Sequence, residues 1–271
     1  MASQPKNQRI FLKQRLVIVL LCVVLFILFF GLCGCGGNTA TADVPPTPYH
    51  PFLALVVCAD NTLSYPQQFL QEAMRNLADK ISSSVVPNSQ GMFVDVNLIE
   101  ASSLQDTFVT FSTPAILDIA KPQPGNDPYQ YAKALSDWKK KVPMVNALIR
   151  SVQARIKPYL DKMRSIHLQE VGGTDENGCA DTAASEFAHF PNTNKVLLYV
   201  SDMQNNVDTQ FSKHINLYGV KVRTIYRVCE VQSACEQNDA FWSKQFTSWG
   251  ATSYEAFSPA QSSAEKITFT F

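Results

Sequence analysis

The sequence lacks the signatures from which catalysis is usually read. It holds no G-x-S-x-G and no H-E-x-x-H, and its four histidines (His50, His167, His189, His214) are scattered over 271 residues. A serine nucleophile on its elbow and a helical zinc-protease site are therefore both without a motif. Paired C-x-x-C spacing is absent too, and no histidine stands beside the cysteines, so a structural zinc site has little to build on. Charge of one sign is missing at the start: no acidic residue precedes Cys35, whereas Lys6, Arg9, Lys13 and Arg15 do. The formal net charge of zero hides this, because 23 − 4 = 19 basic residues face all 23 acidic ones after Cys35, a net −4. No basic stripe shows in that remainder, which argues against nucleic acid as the partner.

After the basic start comes a long apolar run from Leu16 to Cys33. A basic segment, an apolar segment and a small-residue end together form a secretory signal. Leu32-Cys-Gly-Cys35 resembles the bacterial lipoprotein lipobox, which implies cleavage before Cys35 and acylation of its thiol. The same run is about long enough to span a bilayer as an uncleaved anchor. Either way the positive flank stays inside and the rest of the chain is outside the cytoplasm, attached to the membrane of the cell envelope. Residues 1–35 are thus read as leader and lipobox, and Gly36 to Pro51, small, polar and Pro-rich, as a spacer. Four cysteines, Cys58, Cys179, Cys229 and Cys235, remain in a compartment that permits disulfides, and they allow three pairings. Cys229–Cys235, close in sequence beyond a strand, is the first pair expected, and Cys58–Cys179 the second.

The domain from residue 52 to 258 reads as one α/β unit. Phe52 to Cys58 is apolar at every position, the pattern of a strand buried on both faces of a parallel sheet. A helix is expected over Tyr65–Ile81, a strand over Met92–Ile99 and an antiparallel partner over Thr107–Phe111. Thr113 to Pro143 holds five prolines and reads as an insertion with a helix over Pro128–Lys141, Ala132, Leu135 and Trp138 on one side as a candidate partner surface. A separate amphipathic helix then runs from Val145 to Met163. Further on come a helix at Ala180–Phe190, a strand at Lys195–Val200, a short helix at Gln210–Leu217, a strand at Val220–Val228, a helix at Phe241–Trp249 and a strand at Thr252–Phe257. Alternation of this kind predicts a doubly wound, mostly parallel sheet with helices on both faces and one antiparallel edge strand. Residues 259–271 are expected to be a C-terminal tail.

Polar residues cluster where buried strands end. Asp60-Asn-Thr62-Leu-Ser64 places three oxygen-bearing side chains at alternate positions directly after the first strand. In an open α/β sheet, ligands sit outside the carboxyl ends of strands. Asp202 repeats the position of Asp60 after the strand ending at Val200, and Thr174 stands in the glycine-bearing loop Gly172-Gly-Thr174-Asp. In that order these segments resemble the von Willebrand factor A domain family, whose metal-ion-dependent adhesion site is built from D-x-S/T-x-S, a loop Thr and a later S-D, here Ser201-Asp202. The resemblance covers about Pro51 to Ser258. It departs from the family in the 113–143 insertion and at Met203, where the family often has Gly.

Hydroxyls and carboxylates are hard donors suited to Mg²⁺, Mn²⁺ or Ca²⁺. The resemblance implies coordination by Thr62, Ser64 and Thr174, with Asp60 and Asp202 acting partly through water. It also implies capture of a protein partner's carboxylate by Mg²⁺ at that site. Two other functions fit the sequence: a structural envelope domain that works by packing without metal, and a metal-assisted hydrolase, which lacks a base or nucleophile beside the motif. The expectation is a binding module and not an enzyme.

Overall fold

The structure, a computed structural model, describes residues 51–100, 107–167, 173–204, 215–229 and 231–262. The leader, Cys35, the spacer up to residue 50, Gly172, most of the helix expected over Gln210–Leu217, and the last nine residues lie outside them.

In chain order the elements are β1 (Leu53–Asp60), α1 (Gln67–Ser84), β2 (Met92–Ile99), β3 (Val109–Thr113), α2 (Pro128–Arg164), α3 (Glu176–Ala188), β4 (Asn194–Val200), β5 (Val220–Ile225), α4 (Gln232–Ser248) and β6 (Ser253–Ala256). They build a six-stranded sheet of order β3-β2-β1-β4-β5-β6. All neighbours are parallel except β3, which runs antiparallel to β2 at one edge. Strand order reverses between β2-β1 and β4, so a crevice opens at the carboxyl ends of β1 and β4. All eight residues of β1 are buried, as its unbroken apolar run requires at the centre of a sheet covered on both faces. Alternate residues divide between two cores. Leu53, Leu55 and Val57 meet α1 and α2 on one face. Ala54, Val56 and Cys58 meet α3 and α4 on the other.

Several boundaries differ from those expected. Val145 does not begin a new helix: α2 runs unbroken for 37 residues through Pro143 and Pro158. The cause is an apolar face that never loses step. Tyr131, Leu135, Trp138, Val142, Val145, Ile149, Val152, Ile156, Tyr159 and Met163 follow one another at alternating spacings of four and three. A proline inside a helix removes one hydrogen bond, at about 3 kcal/mol. The carbonyls that lose their donors belong to Lys139 and Ala154, both exposed and open to water. The second half of the 113–143 stretch is therefore the start of α2 and not a helix of its own. The tail also begins later than expected, because Ser262 is buried and its hydroxyl accepts the Tyr226 N–H at 2.8 Å. Helix α2 also holds nine basic residues against Asp137 and Asp161, a local excess that the chain-wide balance conceals.

Candidate metal centre

Three loops meet at the carboxyl end of the sheet. The first leaves β1 at Asp60, which is fully buried. Its Oδ1 accepts the Thr62 N–H at 3.0 Å and the Thr62 hydroxyl at 2.7 Å. Since the Thr62 hydrogen is committed to Asp60, Ser64 donates to Thr62 across their 2.8 Å contact. Thr62 is buried and Ser64 exposed, so this loop turns from the core to solvent within three residues. Tyr65 anchors its far end by donating to the Tyr226 carbonyl at 2.9 Å.

The second loop carries Thr174, buried two residues before Glu176, a side chain that the sequence motif does not include. Helix α3 starts at Glu176, four residues earlier than expected, because Asp175 caps it and accepts the Gly178 N–H at 2.9 Å. Gly178 is required there, since a Cβ would sit 2.2 Å from Asp175 Oδ2. Gly173, at φ +105°, supplies the left-handed turn that leads into the cap. Glu176 is thereby held fully buried in the first helical turn, where the helix dipole favours a carboxylate. The Cys58–Cys179 disulfide ties that turn to β1, two residues before Asp60.

The third loop follows β4. Ser201 Oγ lies 3.2 Å from Asp60 Oδ2 and 3.0 Å from Glu176 Oε1, so its single hydrogen bridges one carboxylate at a time. Its oxygen accepts the Met203 N–H at 2.9 Å. Met203 has φ +63°, a left-handed conformation that costs a non-glycine residue about 1 kcal/mol. Two donors from α4 hold it there: Trp242 Nε1 to the Met203 carbonyl at 2.9 Å, and Asn238 Nδ2 to the same oxygen at 3.2 Å. Asn238 also reaches the Asp202 carbonyl at 3.3 Å. The left-handed turn is the physical reason a glycine suits this position, and here the hydrogen bonds offset its absence. The start of α4 is fixed in turn by the Cys229–Cys235 disulfide and by the Arg227–Asp239 ion pair at 2.7 Å.

The result is one cluster. Ligand oxygens of Asp60, Glu176 and Asp202 lie within 4.8 Å of one another, all three residues buried. Burial is the main reason the Asp60 carboxyl is pushed up to about 6 and the Glu176 carboxyl to about 8, and it raises Asp202 as well. Their mutual repulsion adds to both Asp60 and Glu176. The donors are hard oxygens at a spacing compatible with one divalent ion, since opposite oxygens stand about 4.0–4.2 Å apart across Mg²⁺ and about 4.6–5.2 Å across Ca²⁺. Asp60, Thr62 and Ser64 form one linked group, and Asp202 joins Asp60 through the cluster. Thr174 lies in the neighbouring loop. Glu176 is visible in the sequence only as an acidic residue two positions after Thr174, inside an Asp175-x-x-Gly178 cap.

No protein-family model and no curated protein sequence matches this chain. Among solved structures it is similar to the conserved hypothetical protein BatB from Bacteroides thetaiotaomicron, with 12% identity, 79% of this chain and 95% of that chain covered, and a TM-score of 0.40. A von Willebrand factor type A protein from Catenulispora acidiphila is matched at 12% identity over 80% of this chain and 41% of that one, TM-score 0.41. The pilus adhesin SpaC from Lactobacillus rhamnosus GG is matched at 12% identity over 82% of this chain and 29% of that one, TM-score 0.40. Likeness at this level concerns chain path and says nothing of ligand or partner. The sheet order and the single antiparallel edge strand, with the three loops at the carboxyl ends of its central strands, make this a doubly wound α/β domain, the fold that the von Willebrand factor A resemblance implies.

Proposed function

We propose that the chain is a divalent-cation-dependent binding module that works outside the cytoplasm. The supporting observation is the convergence of Asp60, Glu176 and Asp202 within 4.8 Å in a buried setting. Three buried carboxylates cannot all ionise together without a compensating cation. In this reading the ion, with Mg²⁺ as first choice and Mn²⁺ or Ca²⁺ as alternatives, is held by those carboxylates with Thr62, Ser64 and Thr174 around it. Exposed Ser64 and the slightly open Asp202 mark the side from which a partner group would approach. The two disulfides suit an oxidising compartment, in keeping with an envelope location.

The partner class is a protein carrying an exposed carboxylate, the class the family resemblance implies. Glu176 bears directly on it. Three ionised carboxylates around a divalent ion leave a net −1, which repels an anionic ligand, whereas two leave zero. Glu176→Gln is therefore expected to weaken cation binding and to favour acidic partners. The reading includes no catalytic step.

Titration calorimetry with Mg²⁺, Mn²⁺ and Ca²⁺ on wild type and Asp60→Ala is the test. Wild type should bind one ion and Asp60→Ala none. Equal absence of binding at millimolar metal would favour the metal-free structural domain instead. Pull-down from envelope extract, with and without chelator, then reads the partner.

A further inference from the structure

Contacts along β3 give the direction of α2. Lys162 donates to the Phe108 carbonyl at 2.7 Å, Tyr159 stacks on Phe111 at 5.5 Å between centroids, and Arg155 reaches the Ser112 carbonyl at 3.4 Å. As residue numbers fall along the helix they rise along β3, toward Thr113. Thr113 pairs with Met92, and Met92 with Leu53, so this is the edge where β1 and β2 begin. The first 17 residues of α2, 128–144, are about 25 Å of helix that continue on the side opposite the candidate metal centre.

That projecting half has two faces. Tyr131, Leu135, Trp138 and Val142 are half-buried, with Trp138 donating to the Ile119 carbonyl at 2.7 Å. Tyr129, Lys133, Lys140 and Met144 line the other face at spacings of four, seven and four, Tyr129 being 79% and Met144 71% exposed. Lys139 and Lys141 flank them. Four lysines stand against Asp137 alone, and among the described residues none of the four is in an ion pair. A cationic helical face bearing an exposed tyrosine and a methionine suits an anionic interface.

The chain itself points to which one. Its path enters the sheet at this same edge, where Phe52 N–H donates to the Gly91 carbonyl at 2.8 Å. Upstream stand the 16 residues Gly36–Pro51 and then the apolar run Leu16–Cys33. At 3.3–3.6 Å per residue, 16 residues can span at most about 55 Å, enough to cover the length of the projecting helix. We propose that residues 128–144 form a docking surface for anionic phospholipid headgroups, directing the metal centre away from the membrane. This rests on the membrane attachment read from residues 1–35 and is independent of whether a metal binds.

The test is lysine acylation, read by mass spectrometry, on the full chain reconstituted in vesicles of phosphatidylcholine alone or containing phosphatidylglycerol. Lys133, Lys139, Lys140 and Lys141 should label several-fold more slowly with phosphatidylglycerol and recover in high salt, while Lys221 and Lys244 stay unchanged. Equal labelling in both vesicles would retain the attachment and remove the surface. Failure to float with either vesicle would remove both. Protection that needs added nucleic acid or acidic polysaccharide, and not lipid, would overturn the assignment in favour of those polymers.

Discussion

The Cys58–Cys179 disulfide should be the larger of two unequal covalent contributions to stability, and the comparison is quantitative. It joins residues 121 apart, whereas Cys229–Cys235 joins residues 6 apart. Loop-closure entropy in the unfolded chain then assigns about 5 kcal/mol to the first and about 2 kcal/mol to the second. Domains of this kind have a total stability of about 5–15 kcal/mol, so removing the long link is a large fraction of the whole. Both Cys58 and Cys179 are fully buried, and loss of their packed sulfurs adds to the effect. The perturbation is Cys58→Ala with Cys179→Ala, compared with Cys229→Ala with Cys235→Ala, in urea unfolding followed by circular dichroism. The bond also joins the segments that carry Asp60 and Glu176, so cation affinity should fall with it even where the variant remains folded. If the two double variants lose equal stability, loop entropy is not the source. If cation affinity is unchanged in a folded Cys58→Ala/Cys179→Ala protein, the link does not position the site.

Two further outcomes concern the site's electrostatics and its supports. With Asp60 raised to about 6 and Glu176 to about 8, protons compete with the cation, so apparent affinity should climb as pH rises from 5 to 9 and binding should release protons. Without metal the same shifts have the opposite consequence for folding. The native state binds more protons than the unfolded chain between the ordinary carboxyl range and pH 8, so stability falls as pH rises through that window. Melting curves with chelator and with Mg²⁺ should diverge with pH, and parallel curves would count against a shared site. Asn238→Ala removes the donor to the Asp202 and Met203 carbonyls, with an expected loss of about 1 kcal/mol and weaker cation binding. An unchanged calorimetric affinity would show that Trp242 alone holds the turn.

The sequence by itself determined the elements whose signal is local. An apolar run with no polar alternate, such as Leu53 to Ala59, has no stable place except between two covering layers, so the central strand was legible without a structure. Asp60, Thr62 and Ser64 were legible for the same kind of reason, since their mutual bonds span two residues each. Glu176 was not. Its partners Ser201 and Asp60 are 25 and more than a hundred positions away, and only the early start of α3 and the link to Cys58 turn it inward. Continuity of α2 through Pro143 was likewise decided in three dimensions, where burial along one face outweighs a missing hydrogen bond that local rules treat as a stop. For charge, a sum over the chain averages local excesses, and the four lysines between 133 and 141 stand against Asp137 alone.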